Sequence, residues 1–165
     1  MSASIRLARA SDAPSMAAIR AATDEPEAML EKVDGRSRAR SEFYAELIQK
    51  HAASVYLVEV RGSVVGFVVL QRETHHAVVG HNPLKLWQIY VAPAHHGSGV
   101  ASQLLSATME HACRHLHDVV WLGVSAHNAR GMAFYRKHRF KALGLHVVGA
   151  GGHAHQDIVM SCAVQ

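Results

Sequence analysis

Between Val91 and Gln103 the chain reads Val-Ala-Pro-Ala-His-His-Gly-Ser-Gly-Val-Ala-Ser-Gln, with glycines at 97 and 99. The chemistry such a stretch can do is anion binding. A pyrophosphate needs several donors converging from one side. Successive backbone N–H groups at a helix start supply them, and the helix dipole adds about half a positive charge there. Side chains would block the approach, so glycine belongs where backbone meets phosphate. Gly97-Ser98-Gly99-Val100-Ala101, after the apolar run Leu86–Val91 and before a long amphipathic segment, fits this requirement. A G-x-G alone also describes an ordinary tight turn. A dinucleotide-binding unit fits poorly, because Ser102 stands where a third glycine belongs. In addition, Val119–Val124 runs on into Ser125-Ala126-His127 with no acid to hold a ribose. A Walker loop is excluded, since no Gly-Lys-Ser/Thr follows. From His95 to Ser102 there is no lysine or arginine. Backbone N–H groups would therefore carry the binding, with His96 adding charge only when protonated.

The elements that must position this loop are legible from periodicity. Ile5–Arg9 alternates apolar and polar, an edge-type strand. Ser11 or Asp12 can cap a helix with Pro14 in its first turn, running to about Ala22. Acids then cluster at Asp24, Glu25, Glu27, Glu31 and Asp34. A second helix is expected from Arg36 to Lys50, with Phe43, Leu47 and Ile48 on its buried side. Val55–Val60 and Val64–Gln71, joined at Arg61-Gly62-Ser63, read as a β-hairpin. Glu73–Pro83 is polar and reads as a loop, and Leu86–Val91 as a core strand ended by Pro93. Val100, Leu104, Leu105, Thr108 and Ala112 fall on one helical face. Val119–Val124 is a buried strand. Asn128 opens a short helix carrying Met132 and Tyr135. Leu143–Val148 and Ile158–Ala163 close the chain as a strand pair. The order describes one mixed α/β domain over residues 1–165.

Composition narrows the function classes. The 165 residues are 49% hydrophobic and 18% charged, ordinary for a globular domain. No apolar run approaches the roughly 20 residues of a membrane span, and the N-terminus lacks an apolar signal core. Two cysteines, Cys113 and Cys162, suit reduced thiols and a cytoplasmic protein. The net charge of +4 permits an anionic ligand. No dense basic run or nucleic-acid motif accompanies it, and Arg36-Ser37-Arg38-Ala39-Arg40 reads as a solvated helix face. His111 and His115 lie four apart on one helix face, but no further ligand stands at useful spacing, so no metal is expected.

Two motifs together carry a resemblance. Val91–Leu105 is similar to the acetyl-CoA loop of the GCN5-related N-acetyltransferase (GNAT) family, Q/R-x-x-G-x-G/A. His96 stands at the Q/R position, Gly99 at the glycine and Ala101 at the last place. Asn128–Phe140 resembles the family's N-x-x-A-x-x-F-Y-x-K-x-G-F. Gly144-Leu145-His146 and Gln156–Met160 further resemble the PaiA-type bacterial polyamine acetyltransferases. Three positions depart from the pattern: His96, Gly131 for alanine, and Arg139 for glycine. The last would hold an arginine in the left-handed region if the usual turn is kept, at roughly 1 kcal/mol.

The resemblance implies a mostly antiparallel sheet of six or seven strands with one splayed parallel pair, flanked by about four helices. It implies acetyl-CoA as cosubstrate and a small primary amine as acceptor, a polyamine such as spermidine among the candidates. Neither nucleic acid nor membrane is implied as a partner, and a homodimer is compatible. Cofactor contacts are implied at Ile89, Tyr90 and Val91, at His96, Gly97, Ser98, Gly99, Val100, Ala101 and Ser102, and at Asn128 and Lys137. A backbone N–H near Val91 would face the developing oxyanion. Tyr135 matches the family's general acid. Asn128 reads equally as a helix N-cap, and Lys137 as a solvated lysine. The base stays open among Glu59, His75, His76, His81 and water. The acidic stretch Asp24–Asp34 would favour a cationic acceptor. A coenzyme A-binding module without turnover and a peptide N-terminal acetyltransferase are the alternatives.

Overall fold

The computed structural model describes residues 2–23, 33–148 and 154–165. Along the chain run β1 (Ala3–Leu7), α1 (Ala13–Thr23), α2 (Val33–Gln49), β2 (Ser54–Val60), β3 (Ser63–Arg72) and β4 (Pro83–Val91). There follow α3 (Val100–Arg114), β5 (Val119–Ser125), α4 (Ala129–Lys137), β6 (Lys141–Val148) and β7 (His155–Ala163). The strands form a seven-stranded sheet in the order β1-β2-β3-β4-β5-β7-β6. The pairs β1–β2, β2–β3, β5–β7 and β6–β7 are antiparallel and β4–β5 is parallel. The parallel ladder covers only Pro83–Lys85 against Val119–Trp121, although β4 continues to Val91 and β5 to Ser125. This is the mixed α/β sheet with a splayed parallel pair that the resemblance implied.

Two compact units divide the chain: Met1–Gln71 with Gln88–Thr108, and Arg72–Trp87 with Met109–Gln165. In the first, the valine-rich β2 and β3 form the expected hairpin. Val60 pairs with Ser63 across Arg61 and Gly62, both at positive φ (52° and 78°), the signature of a type I′ turn. Val65 and Phe67–Leu70 are buried, as are Met16 and Ala17 of α1. Two expectations need correction here. The buried side of α2 is Tyr44 and Leu47; Phe43 is exposed and Ile48 half-buried. Tyr44 takes the inner place because its ring packs edge-on against Phe67, while its hydroxyl finds a polar partner. Asp12 does not cap α1 either. Its carboxylate accepts the Arg9 N–H (2.7 Å) and two hydrogen bonds from Arg6, whose guanidinium also reaches Glu59 at 2.7 Å. That charge-assisted network holds the Asp12 carboxyl below the usual carboxylate range.

In the second unit, Val119, Val120, Trp121, Leu122 and Val124 of β5 are buried with Val159 and Met160 of β7. Tyr135 and Phe140 join this core, their ring centroids 5.7 Å apart. β4 begins at Pro83, earlier than periodicity suggested, because a strand's first residue can lack a ladder donor. Arg139 holds φ 70°, so the left-handed turn after α4 is kept without its glycine.

Candidate active site

In the first unit, Gly97 and Gly99 have φ of 77° and 89°, where an L-residue is strained. A Cβ added at either would meet nothing within 4 Å, so torsion rather than crowding calls for glycine. The first intrahelical bond of α3 runs from Gln103 N–H to Gly99 O at 3.0 Å. The N–H groups of Gly99, Val100 and Ala101 thus precede the helical ladder, the ones a bound anion can take. The loop itself is fixed from within: Ser98 N–H and Oγ–H both donate to His95 O, at 3.2 and 2.5 Å. Gly66 of β3 sets the helix position. A Cβ there would lie 2.9 Å from Val100 Cγ1 and 3.2 Å from Leu104 Cδ1, so α3 packs directly onto strand backbone.

The end of β4 has a defined polarity. Ala92 N–H donates to Val65 O (2.8 Å), so even-numbered residues here turn their backbone groups toward β3. Ile89 and Val91 turn theirs toward the other edge. His96 Nε2–H donates to Val91 O at 2.9 Å, which ties the loop to that edge and leaves Nδ1 as its remaining ring nitrogen. On the same strand, Gln88 Oε1 accepts the Tyr44 hydroxyl at 2.7 Å, with Arg20 Nη1 at 3.4 Å from the same hydroxyl. Arg20 also lies over the Tyr90 ring, 5.9 Å from its centroid. Sequence reasoning missed Tyr44 and Arg20, because a helix pattern does not say which aromatic of Phe43-Tyr44 meets a strand. Glu59, ion-paired with Arg6, is no longer an unengaged candidate base.

In the second unit, Tyr135 is 8% exposed, and burial pushes its phenol up to about 12. Its ring packs between Phe134 and Phe140. Asn128 is the N-cap of α4, its Oδ1 accepting Gly131 N–H at 2.8 Å. A Cβ at Gly131 would sit 2.6 Å from Asn128 Nδ2, so an alanine here would require the capping amide to shift. Lys137 is exposed on the last turn of α4.

The loop histidines form a cluster. His75 stacks on His76 (4.3 Å), meets His146 edge-on (4.7 Å) and lies 5.1 Å from the Trp121 ring. His75 Nδ1 accepts Ala77 N–H at 3.1 Å, which puts the neutral ring's proton on Nε2. Desolvation, then His76 and His146, pushes its pKa down. The backbone N–H groups of His81 and Asn82 donate to the Asp118 carboxylate at 2.5 and 3.0 Å. The His111 and His115 rings lie tilted to each other with centroids 4.3 Å apart, yet the described residues hold no group of three or more His, Cys, Asp or Glu side chains placed to bind a metal ion. The acids Asp24 to Glu31 and His153 lie outside the described residues, as does the side chain of Asp34.

Comparison with known proteins agrees with this geometry. Residues 18–140 match the model of the acetyltransferase (GNAT) family. An uncharacterised N-acetyltransferase of Mycobacterium bovis is 30% identical over 117 residues, 71% of each chain. Among solved structures, an N-acetyltransferase from Staphylococcus aureus superposes with a TM-score of 0.75 at 22% identity, covering both chains completely. The PaiA N-acetyltransferase of Thermoplasma acidophilum, solved with coenzyme A, does so with a TM-score of 0.67 at 17% identity, over 99% of each chain. No helix among the described residues is long and apolar enough to cross a membrane. With 123 consecutive residues matching its model, this chain belongs to the GNAT family and is an N-acetyltransferase.

Proposed function

We propose that the chain transfers the acetyl group of acetyl-CoA to a primary amine, with polyamines such as spermidine among its acceptors. The observation that carries this reading is the loop: two glycines at positive φ opening α3, with backbone N–H groups ahead of the helical ladder. Those groups would hold the pyrophosphate, with Ser98 and Ser102 alongside. The backbone of Ile89 and Val91 would pair with the pantetheine arm. Tyr90, Asn128 and Lys137 complete the proposed cofactor contacts. The polyamine assignment draws on the PaiA neighbour and on the acids between Asp24 and Asp34. Two free thiols suit a reducing cytoplasm.

In the reaction the neutral amine attacks the thioester carbon. A C–N bond forms and the C–S bond breaks; the leaving thiolate takes the Tyr135 phenol proton, and the nitrogen sheds one proton to water, from which the phenolate is reprotonated. Burial keeps that phenol protonated up to about 12, so the acid is loaded at any working pH. Protein mixed with acetyl-CoA and spermidine should release free thiol. Tyr135→Phe should lower kcat by about 100-fold with little change in KM for acetyl-CoA. If no amine in a broad panel releases thiol and the variant behaves as wild type, the reading fails. Acetylated protein N-termini found by mass spectrometry in place of acetylated amines would move the acceptor class to peptides.

A further inference from the structure

The second unit contains a carboxylate that neither the family motifs nor the scheme above uses. Asp157 on β7 pairs with Ser125 on β5 and with His146 on β6, so these three residues form one row across three strands, on one face of the sheet. Directly beside the row, Gly123 pairs with Val159 and leaves its share of that face without a side chain. The Asp157 carboxylate leans over it: a Cβ at Gly123 would lie 3.1 Å from Asp157 Oδ2. Gly123 and Ser125 are both exposed, whereas Val120, Leu122 and Val124, on the opposite face of β5, are buried.

The charge of Asp157 is poorly compensated. Its side chain is 18% exposed, yet among the described residues no lysine or arginine pairs with it. Its ion-pair contact is His155 Nε2, 3.5 Å from Oδ1, on a side chain that is 58% exposed and charged only when protonated. Other carboxylates of the protein are better served. Asp12 has Arg6 and a backbone N–H, Asp118 has two backbone N–H groups, and Glu73 has Lys85 at 2.7 Å. A largely shielded carboxylate whose ion-pair partner is an exposed histidine is stabilised when a ligand supplies a cation. A compact, multiply donating cation suits it best, and a primary ammonium has three N–H donors on one small head. Gly123 gives the carboxylate a floor without a side chain, on an exposed part of the sheet.

We propose that Asp157 is the docking group for the ammonium of the acceptor amine, with Gly123 kept free of a side chain for the carboxylate. This inference rests on the acetyltransferase reading and deepens it by assigning the acceptor side of the site. In steady-state assays with a primary alkylamine panel, Asp157→Asn should raise the amine KM at least tenfold while leaving KM for acetyl-CoA unchanged. Asp157→Glu should recover part of the loss. Gly123→Ala, which displaces the carboxylate without removing it, should raise the amine KM as well. Circular dichroism and melting curves establish that each variant is folded. If wild type releases thiol and a folded Asp157→Asn or Gly123→Ala keeps its amine KM within twofold, the inference is overturned and the acetyltransferase reading stands. If wild type binds acetyl-CoA but releases thiol with no amine in the panel, both are overturned.

Discussion

At the scale of single residues, this protein uses glycine for two different reasons. Gly97 and Gly99 are demanded by torsion, at φ 77° and 89°, and their surroundings are open. Gly66 and Gly123 are demanded by neighbours: a helix and a carboxylate. The first kind is visible in a sequence, because glycines before an amphipathic run announce a turn. The second kind is not, since the colliding partner is set by tertiary packing. Arg139 shows the converse. At φ 70° it stands where a left-handed glycine would be unstrained. Its side chain is exposed. Arg139→Gly should therefore raise the melting temperature, by an amount equivalent to about 1 kcal/mol, less the entropy glycine returns to the unfolded chain. A lowered melting temperature would show that the arginine side chain contributes more than its backbone costs.

At the scale of elements, periodicity located all seven strands and four helices, because their apolar patterns are strong and their turns carry Gly, Pro or Asn. Boundaries moved where tertiary context decided. β4 starts at Pro83, and β1 spans Ala3–Leu7 rather than Ile5–Arg9. The inner face of α2 could not be read, as Phe43 and Tyr44 are adjacent aromatics and only packing against Phe67 selects Tyr44. The candidate site divides the same way. The glycine loop and the Asn128–Phe140 helix were legible because they are contiguous. The Ser125–Asp157–His146 row was not, because its members come from three strands whose pairing no local pattern specifies. A lone acid before the apolar run Ile158-Val159-Met160 was the one local hint. α3 depends on close contact at Gly66, so Gly66→Ala should push the helix start away from β3. Weaker acetyl-CoA affinity in a folded protein would report that shift, and unchanged affinity would show that Val100 and Leu104 yield instead.

At the scale of the whole molecule, the 14 histidines make behaviour near neutrality depend on how each is buried. His111 is the clearest case. Desolvation, then His115, His117 and Arg114, holds its pKa down to about 4. The unfolded chain takes up a proton there from about pH 6.5, while the folded chain resists until about 4. Its contribution is therefore fully present above pH 6.5 and is lost as pH falls toward 4. Denaturant midpoints measured across that range should drop toward acid, and His111→Gln should flatten the drop if the variant folds. An equal slope in the variant would assign the acid sensitivity to other groups. The central claim, however, is the proposal that the backbone of the loop opening α3 holds acetyl-CoA. Calorimetric titration of acetyl-CoA into wild type and Gly99→Ala tests it most directly. The account predicts saturable binding by wild type, weakened roughly tenfold or more by a methyl group and a strained torsion at the phosphate site. Equal affinity in the two proteins would contradict it.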